Sequence, residues 1–320
     1  MRKKITVKKF LRILRFSFFL LLSAAAFLAA GICSRLTETF LPSPAQIFAP
    51  TQDGPSEEQV RDEIFLPILM YHALVTSPQY QNTYFIDPSI LESDLQYLSE
   101  HHYTTVTVHD LIEYVDSGKP LPEKPVMLTF DDGYFNNYLY AYPLLRKYHM
   151  KAVIAPVGQY TDQYSCIRDT NEYYAHLTWD HLREMEVSGR FEIQNHSYDL
   201  HGSGNPAPIL QKYSETAENY TNRLKEDFLL FQARADEFLL STPEALVYPY
   251  GAYTQKTEEL ARACGFRATL TCREIANRIT RNPDCLYGLG RYLRSPDRNL
   301  SEILEHSAPL KERPLTALSP

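Results

Sequence analysis

Between residues 64 and 271, short apolar or β-branched runs alternate with segments of helical periodicity. That alternation constrains the fold more than any other feature. Residues 64–71, 104–108, 126–130, 152–157, 191–195, 245–248 and 267–271 read as strands, bounded by turn-forming residues. Helical spacing is expected over 88–101, 109–116, 137–149, 179–187, much of 208–240, and 255–264. Asp87 and Thr178 suit N-caps, and Gly118, Gly189 and Gly265 suit helix stops. Repeated strand–helix units predict an α/β fold with a parallel sheet covered by helices. The pattern allows either a barrel or an open doubly wound sheet. In both, chemistry gathers at the C-terminal ends of the strands, and His72, Asp131, Asp132, His196, His201 and Tyr250 are all expected there.

The N-terminus carries Arg2, Lys3, Lys4, Lys8, Lys9, Arg12 and Arg15, followed by an uncharged, mostly apolar run over 16–33. That run is long enough to span a bilayer as a helix. The basic flank, 1–15, is expected to stay in the cytoplasm, which places the remainder outside. A cleaved signal peptide competes with a retained signal anchor; the apolar run exceeds a usual signal core, which favours the anchor. Cys33 follows Ile32, too bulky for a lipoprotein cleavage box. Residues 34–62 hold Pro42, Pro44, Pro50, Gly54 and Pro55 and read as an extracellular linker. One domain is expected over 63–310, with a tail at 311–320.

The 44% hydrophobic and 22% charged composition excludes wholesale disorder, and a net charge of -7 gives no support to nucleic-acid binding. Cys33, Cys166, Cys264, Cys272 and Cys285 contain no C-x-x-C metal framework. A disulfide among the last three is open in an oxidising compartment. The chain has 23 Tyr against a single Trp; exposed Tyr suits sugar-binding clefts, although packing explains most of them. The oligomeric state is not legible.

Three constellations carry the chemistry. Thr129-Phe130-Asp131-Asp132-Gly133 puts two adjacent carboxylates at a strand end. Buried like charges are costly unless a cation or shared proton relieves them, and a helix-capping Asp-Asp-Gly turn is the plain alternative. His196 and His201 stand five apart, so they share neither a helix face nor a strand face. They converge only if the chain curls back, for which Ser197 and Asp199 are suited, with polar atoms able to fix a ring tautomer. One carboxylate with two imidazoles makes a metal site with open positions, and the other carboxylate is then free for proton transfer. Third, Tyr248-Pro249-Tyr250-Gly251 is either an ordinary strand-to-turn junction or a rigid turn offering a backbone N–H and an aromatic wall to a ligand. His101, His102, His149, His176 and His181 read as surface or packing residues.

Together, T-F-D-D-G at 129–133, H-S-Y-D-L-H at 196–201 and Y-P-Y-G at 248–251 resemble the NodB-homology polysaccharide deacetylases, carbohydrate esterase family 4. The resemblance covers most of 64–295. The His-x4-His spacing, Met70-Tyr71-His72 and Thr178-Trp179 look like the exported poly-β-1,6-N-acetylglucosamine deacetylase branch. The resemblance implies a distorted (β/α)7 barrel. It implies Asp132, His196 and His201 as ligands of a divalent metal, usually zinc, Asp131 as general base, and the Tyr250 N–H at the oxyanion. Tyr248 and Pro249 are then expected against substrate. Two departures stand out. Val247 occupies the place of an Arg that often tethers the base, and the late Leu–His motif supplying a general acid is not recognisable. His306 is a weak substitute for that acid, and His72, at the first strand end, is better placed.

The expected activity is metal-dependent removal of N-acetyl groups from an extracellular N-acetylglucosamine polymer. A peptidoglycan deacetylase or O-acetyl esterase on the same scaffold, and a membrane-tethered glycan-binding barrel without turnover, are the alternatives. Adjacent carboxylates do not suit glycoside hydrolysis, which wants them on opposite sides of a bond.

Overall fold

The computed structural model describes residues 63–307. The expected cytoplasmic flank, membrane anchor and linker lie outside the described residues, as do 308–320. Among the described residues no helix is long and apolar enough to cross a membrane.

The first expected strand is split by Pro67, which has no N–H to donate to a ladder. β1 (Ile64–Leu66) pairs antiparallel with β11 (Asn277–Ile279), whereas β2 (Ile68–Tyr71) enters the main sheet. β3 (Ala73–Leu74) and β4 (Phe85–Ile86) form a small parallel pair beyond it. Helix α1 (Pro88–Glu100) starts at Asp87, whose carboxylate accepts the Ser89 N–H, as expected of an N-cap. β5 (Thr104–Thr105) and α2 (Val108–Ser117) precede β6 (Pro125–Asp132), the longest strand. The helix expected over 137–149 is a π-turn at Asn137–Ala141 running into α3 (Tyr142–Lys147). β7 (Ala152–Pro156) leads into α4 (Gly158–Ile167), a helix absent from the expected elements. Next come α5 (Trp179–Val187), β8 (Phe191–Ile193), α6 (Ala217–Phe238), β9 (Ala245–Val247), α7 (Gln255–Ala263) and β10 (Ala268–Leu270). β12 (Tyr292–Leu293) and α8 (Leu300–Ser307) complete the domain.

The main sheet runs β12-β2-β6-β7-β8, all parallel, with β5 also on β6. β9 and β10 form a separate parallel pair. Single bridges, Asn195 to Leu246 and Leu270 to Leu289, are the joints between β9–β10 and its neighbours. The fold is therefore α/β and parallel, as the alternation requires, but its regular ladders do not form a continuous closed barrel.

Side chains alternate across these strands with the period of two expected of β-structure. Val126, Leu128 and Phe130 pack outward with Leu91 and Leu95 of α1, Leu182 of α5 and Phe231 of α6. Met127, Val153 and Ala155 face the other way, onto Val247 and Leu270 of the β9–β10 pair. Further along β6, on the Met127 side, come Thr129 and Asp131. The second core is thus apolar along its length and polar at the strands' C-terminal end.

Candidate active site

Alternation along β6 would send Asp131 to the inner side and Asp132 out towards the helices. It does not, because Asp132 has a left-handed backbone, φ 68°, and Gly133 follows at φ 69°. Asp tolerates this region better than most residues. Gly133 is required by space as well, since a Cβ there would sit 2.6 Å from the Pro156 Cβ. The two carboxylates therefore enter one cavity of about 640 Å³, which is also lined by His72, Tyr134, His196, His201 and Tyr250. Its size is typical of small-ligand sites.

The five-residue spacing of the histidines is solved by a pinned loop. Asn195 Oδ1 accepts the Ser197 N–H at 2.6 Å, and Ser197, at φ 68°, accepts the Leu200 N–H on its Oγ at 3.1 Å. Asp227 of α6 reaches in and accepts the N–H groups of Tyr198 and Asp199 at 2.8 and 2.7 Å. The Tyr198 hydroxyl donates to Asp162 of α4 at 2.8 Å. Ser197 thus makes the turn as expected, but the Asp199 side chain is exposed and Asp227 is the acidic anchor. The His196 tautomer is set by neither of them: Nδ1 bonds the Val247 carbonyl at 2.8 Å, leaving Nε2 for the cavity.

As a result Nε2 of His196 and Nε2 of His201 lie 3.5 and 3.1 Å from Asp132 Oδ1. The three ligand-type atoms fall within 4.8 Å of one another. Asp132 Oδ1 is buried and has no hydrogen-bond donor. Burial alone would raise the Asp132 carboxyl, but the imidazoles beside it hold it well below the usual carboxylate range. An orphaned carboxylate oxygen facing two imidazole nitrogens is a donor set that suits a divalent metal of the zinc type.

Asp131 is held differently. Its two oxygens take a bidentate pair from Arg291, at 2.6 and 2.8 Å, and both partners are buried. Arg291 also donates to the Thr271 carbonyl at 2.9 Å and Thr129 Oγ1 at 3.2 Å. Burial pushes the Asp131 carboxyl up, and Arg291 with His196 outweighs it, so the group stays ionised. The tether missing at Val247 is therefore supplied by the segment entering β12. The sequence did carry a signal, a single Arg within the otherwise uncharged run Cys285–Leu293.

His72 Nε2 lies 4.0 Å from Asp131 Oδ2, while its Nδ1 is buried and unpartnered. Burial depresses its pKa. His306, on α8, does not line this cavity. Tyr250 does, and is half-exposed; its backbone is left-handed at φ 59° and its hydroxyl donates to the His201 carbonyl at 3.0 Å. Its ring centroid lies 4.5 Å from that of His201. Tyr248 and Pro249 depart from expectation. Both are buried behind the turn, Tyr248 stacked on Tyr253 at 4.8 Å, and neither lines the cavity. The place of Tyr248 is explained by the alternation of β9, which directs it into the third apolar cluster with Leu246. His176, read as a packing residue, bonds the Asp132 carbonyl through Nδ1 at 3.0 Å and so steadies the left-handed turn. The described cysteines Cys166, Cys264, Cys272 and Cys285 are unbridged, so no disulfide joins the last three.

The polysaccharide deacetylase family matches residues 118–269, the stretch that contains both aspartates and both histidines. Residues 118–269 carry a polysaccharide deacetylase domain. The chain is 30% identical over 227 residues to the poly-β-1,6-N-acetyl-D-glucosamine N-deacetylase of Escherichia coli K12, covering 64% of this chain and 34% of that protein. The chain therefore spans about a third of that relative's length. The enzyme of the same description from Staphylococcus epidermidis is 26% identical over 234 residues, 72% of this chain and 75% of that protein. Among solved structures, a de-N-acetylase from Aggregatibacter actinomycetemcomitans superposes with a TM-score of 0.65 at 27% identity, covering 76% of this chain and all of the other.

Proposed function

We propose that the protein hydrolyses the N-acetyl groups of an N-acetylglucosamine polymer outside the cytoplasmic membrane. One observation carries this reading: an Asp-His-His donor set and a separately tethered carboxylate meet in a single open cavity. A divalent metal held by Asp132, His196 and His201, zinc on the character of the donors, supplies Lewis acidity to an amide carbonyl and acidifies a water.

The protein's own groups do the rest. Asp131, ionised and fixed in orientation by Arg291, accepts the proton of the attacking water. The Tyr250 N–H, on a turn locked in the left-handed region, faces the developing oxyanion. His72 donates a proton to the departing amine. Burial lowers the His72 pKa, so the ring must first acquire that proton, and Asp131, protonated by the attack, is its source once the two close from 4.0 Å to hydrogen-bond distance. The amide C–N bond breaks, giving acetate and a free amine. Each turnover leaves a cationic sugar on a previously neutral polymer.

Two further parts of the reading rest on the sequence and the strand order. The basic flank and the apolar run at 16–33 support a signal anchor with the domain outside the cell. The single bridges at Asn195 and Leu289 support a distorted (β/α)7 barrel whose seams are loosely paired.

The test is acetate release by zinc-loaded protein from N-acetylglucosamine oligomers in β-1,6 and β-1,4 linkage, beside an O-acetylated control. Release from the N-acetylated series is the expected result, with the linkage panel naming the polymer. No acetate from any of them would overturn the reading; release from the O-acetylated control alone would make the protein an esterase.

A further inference from the structure

Four tyrosines and a histidine make a surface that the chemistry above does not use. Tyr134 lines the cavity, and its ring stacks on His176 with centroids 4.8 Å apart and planes 26° apart. Tyr160 and Tyr164 also pack on His176, with centroids at 4.6 and 5.4 Å. These two are four residues apart on α4 and so share one helix face. Tyr164 donates to the Tyr174 carbonyl at 3.3 Å, and Tyr174 is 53% exposed. Ring contacts thus lead from the cavity through His176 to Tyr160 and Tyr164, and Tyr164 ties this group to the exposed Tyr174 through its backbone carbonyl.

The ribbon is rigid. His176 bonds the Asp132 carbonyl, the Phe135 N–H bonds Ala175, and the Leu177 N–H bonds Gly133, each at 2.8 to 3.0 Å. It is not core, because none of the four tyrosines belongs to the three apolar clusters or packs against them. Tyr134, Tyr160, Tyr164 and His176 are each only partly buried. A rigid, partly exposed row of rings with polar tips, bearing no ammonium or guanidinium, matches the apolar face and hydroxyl rim of a neutral pyranose.

The geometry points to a sugar subsite on this ribbon: Tyr160 and Tyr164 hold units of the glycan next to the unit in the cavity. The occupant is fixed by continuity, since Tyr134 belongs to both surfaces and a chain leaving the cavity on this side meets Tyr160 and Tyr164 next. The inference deepens the glycan reading and rests on it. Affinity then grows with chain length on one side of the reacting sugar.

The test compares the wild type with Tyr160→Ala/Tyr164→Ala and Tyr160→Phe/Tyr164→Phe on β-1,6-linked N-acetylglucosamine oligomers from dimer to hexamer. For the alanine pair KM is expected to rise by roughly tenfold on the hexamer, and by progressively less as the oligomer shortens. The phenylalanine pair keeps the rings and recovers most of the loss. A rise of equal size at every length, or none at any length, would overturn the subsite. Calorimetric titration of metal-free protein with the same oligomers separates this inference from the catalytic one. If no acetate is released yet the hexamer binds and the alanine pair weakens it, the hydrolytic reading fails and the subsite stands. If the hexamer binds the alanine pair as tightly as the wild type, the subsite fails whatever the activity. Should the alanine pair misfold, the contrast falls to Tyr164→Ala against Tyr164→Phe, read the same way.

Discussion

Replacing Arg291 with Met isolates what holds the base. The guanidinium is fully buried and gives both carboxylate oxygens of Asp131 a partner, at 2.6 and 2.8 Å, besides bonds to Thr271 and Thr129. Met fills similar space but leaves Asp131 as an unpaired charge whose side chain is 3% exposed. Breaking a buried pair from one side costs about 3–5 kcal/mol. In a domain of this size each kcal/mol moves Tm by about 2–4 °C, so a fall of roughly 6–20 °C is expected. The pH dependence follows from the sign of the shift. In the wild type the Asp131 carboxyl is lowered, so its stabilising contribution is present above the ordinary carboxylate range. It is lost only as pH falls through the lowered folded value. Without Arg291 burial is much less opposed, the carboxyl rises, and the acid limb of the rate profile moves to higher pH. Urea unfolding of Arg291→Met, Asp131→Asn and the double variant closes a cycle whose coupling should be large, because the double variant buries no lone charge. If Arg291→Met unfolds within about 1 kcal/mol of the wild type, below the range for a broken buried pair, and the acid limb stays put, then the ion pair is not what holds Asp131.

Other outcomes follow from the same geometry. Asp131→Asn should abolish acetate release while equilibrium dialysis still finds the metal, whereas His201→Ala should lose metal affinity; the reverse pattern contradicts the roles assigned. Asp227→Ala frees the loop between the histidines and should weaken metal binding by roughly 10–100-fold, measured by competition with a chelating dye. Burial pushes the Asp227 carboxyl up to about 6 against its two N–H partners, so its contribution to stability is greatest in acid and fades as pH rises to that value. Asp227→Asn should flatten that slope in pH-dependent unfolding, and an unchanged slope would assign it elsewhere. Gly251→Ala should destabilise the turn carrying Tyr250, because φ there is 64° and the new Cβ would lie 2.7 Å from the Cys272 N and Cβ; a melting curve reads this directly.

The repeating strand–helix units were legible because a parallel sheet buried on both faces writes itself as apolar runs, and 126–130 and 152–157 fell within a residue or two of β6 and β7. Asp131, Asp132, His196 and His201 were legible only in combination: each motif alone reads as a turn, but the three together, in order and each beyond an expected strand, carry the resemblance. The helix at Gly158–Ile167 was not legible, because Tyr160, Thr161 and Tyr164 give it little apolar contrast against solvent. Nor was the burial of Tyr248, since an aromatic beside Pro and Gly reads equally as a wall or as core. Arg291 and Asp227 were hidden for a more general reason. Each reaches its partner across a long stretch of chain and lies outside the three motifs, so nothing in the local spacing pairs it with the site, although Arg291 stands alone in an uncharged run.

The asymmetry of the aspartates follows from where donors are available. Asp131 stays on the inner side of β6, where Arg291 can approach it, and both its oxygens are taken. Asp132 is turned back by its left-handed backbone into a pocket whose nearest polar atoms are imidazole nitrogens. There His196 has already committed its other nitrogen to the Val247 carbonyl. A buried oxygen without a donor costs about 1–3 kcal/mol, and more when charged, while a left-handed non-glycine residue adds about 1–3 kcal/mol. Two such costs at one residue, steadied by His176 behind it, are hard to reconcile with a capping turn, whose carboxylate would find backbone N–H groups. They fit a position shaped to receive a cation. The proton-handling carboxylate has to be its neighbour because adjacent residues on one strand end are the shortest covalent route to two carboxylates with opposite environments.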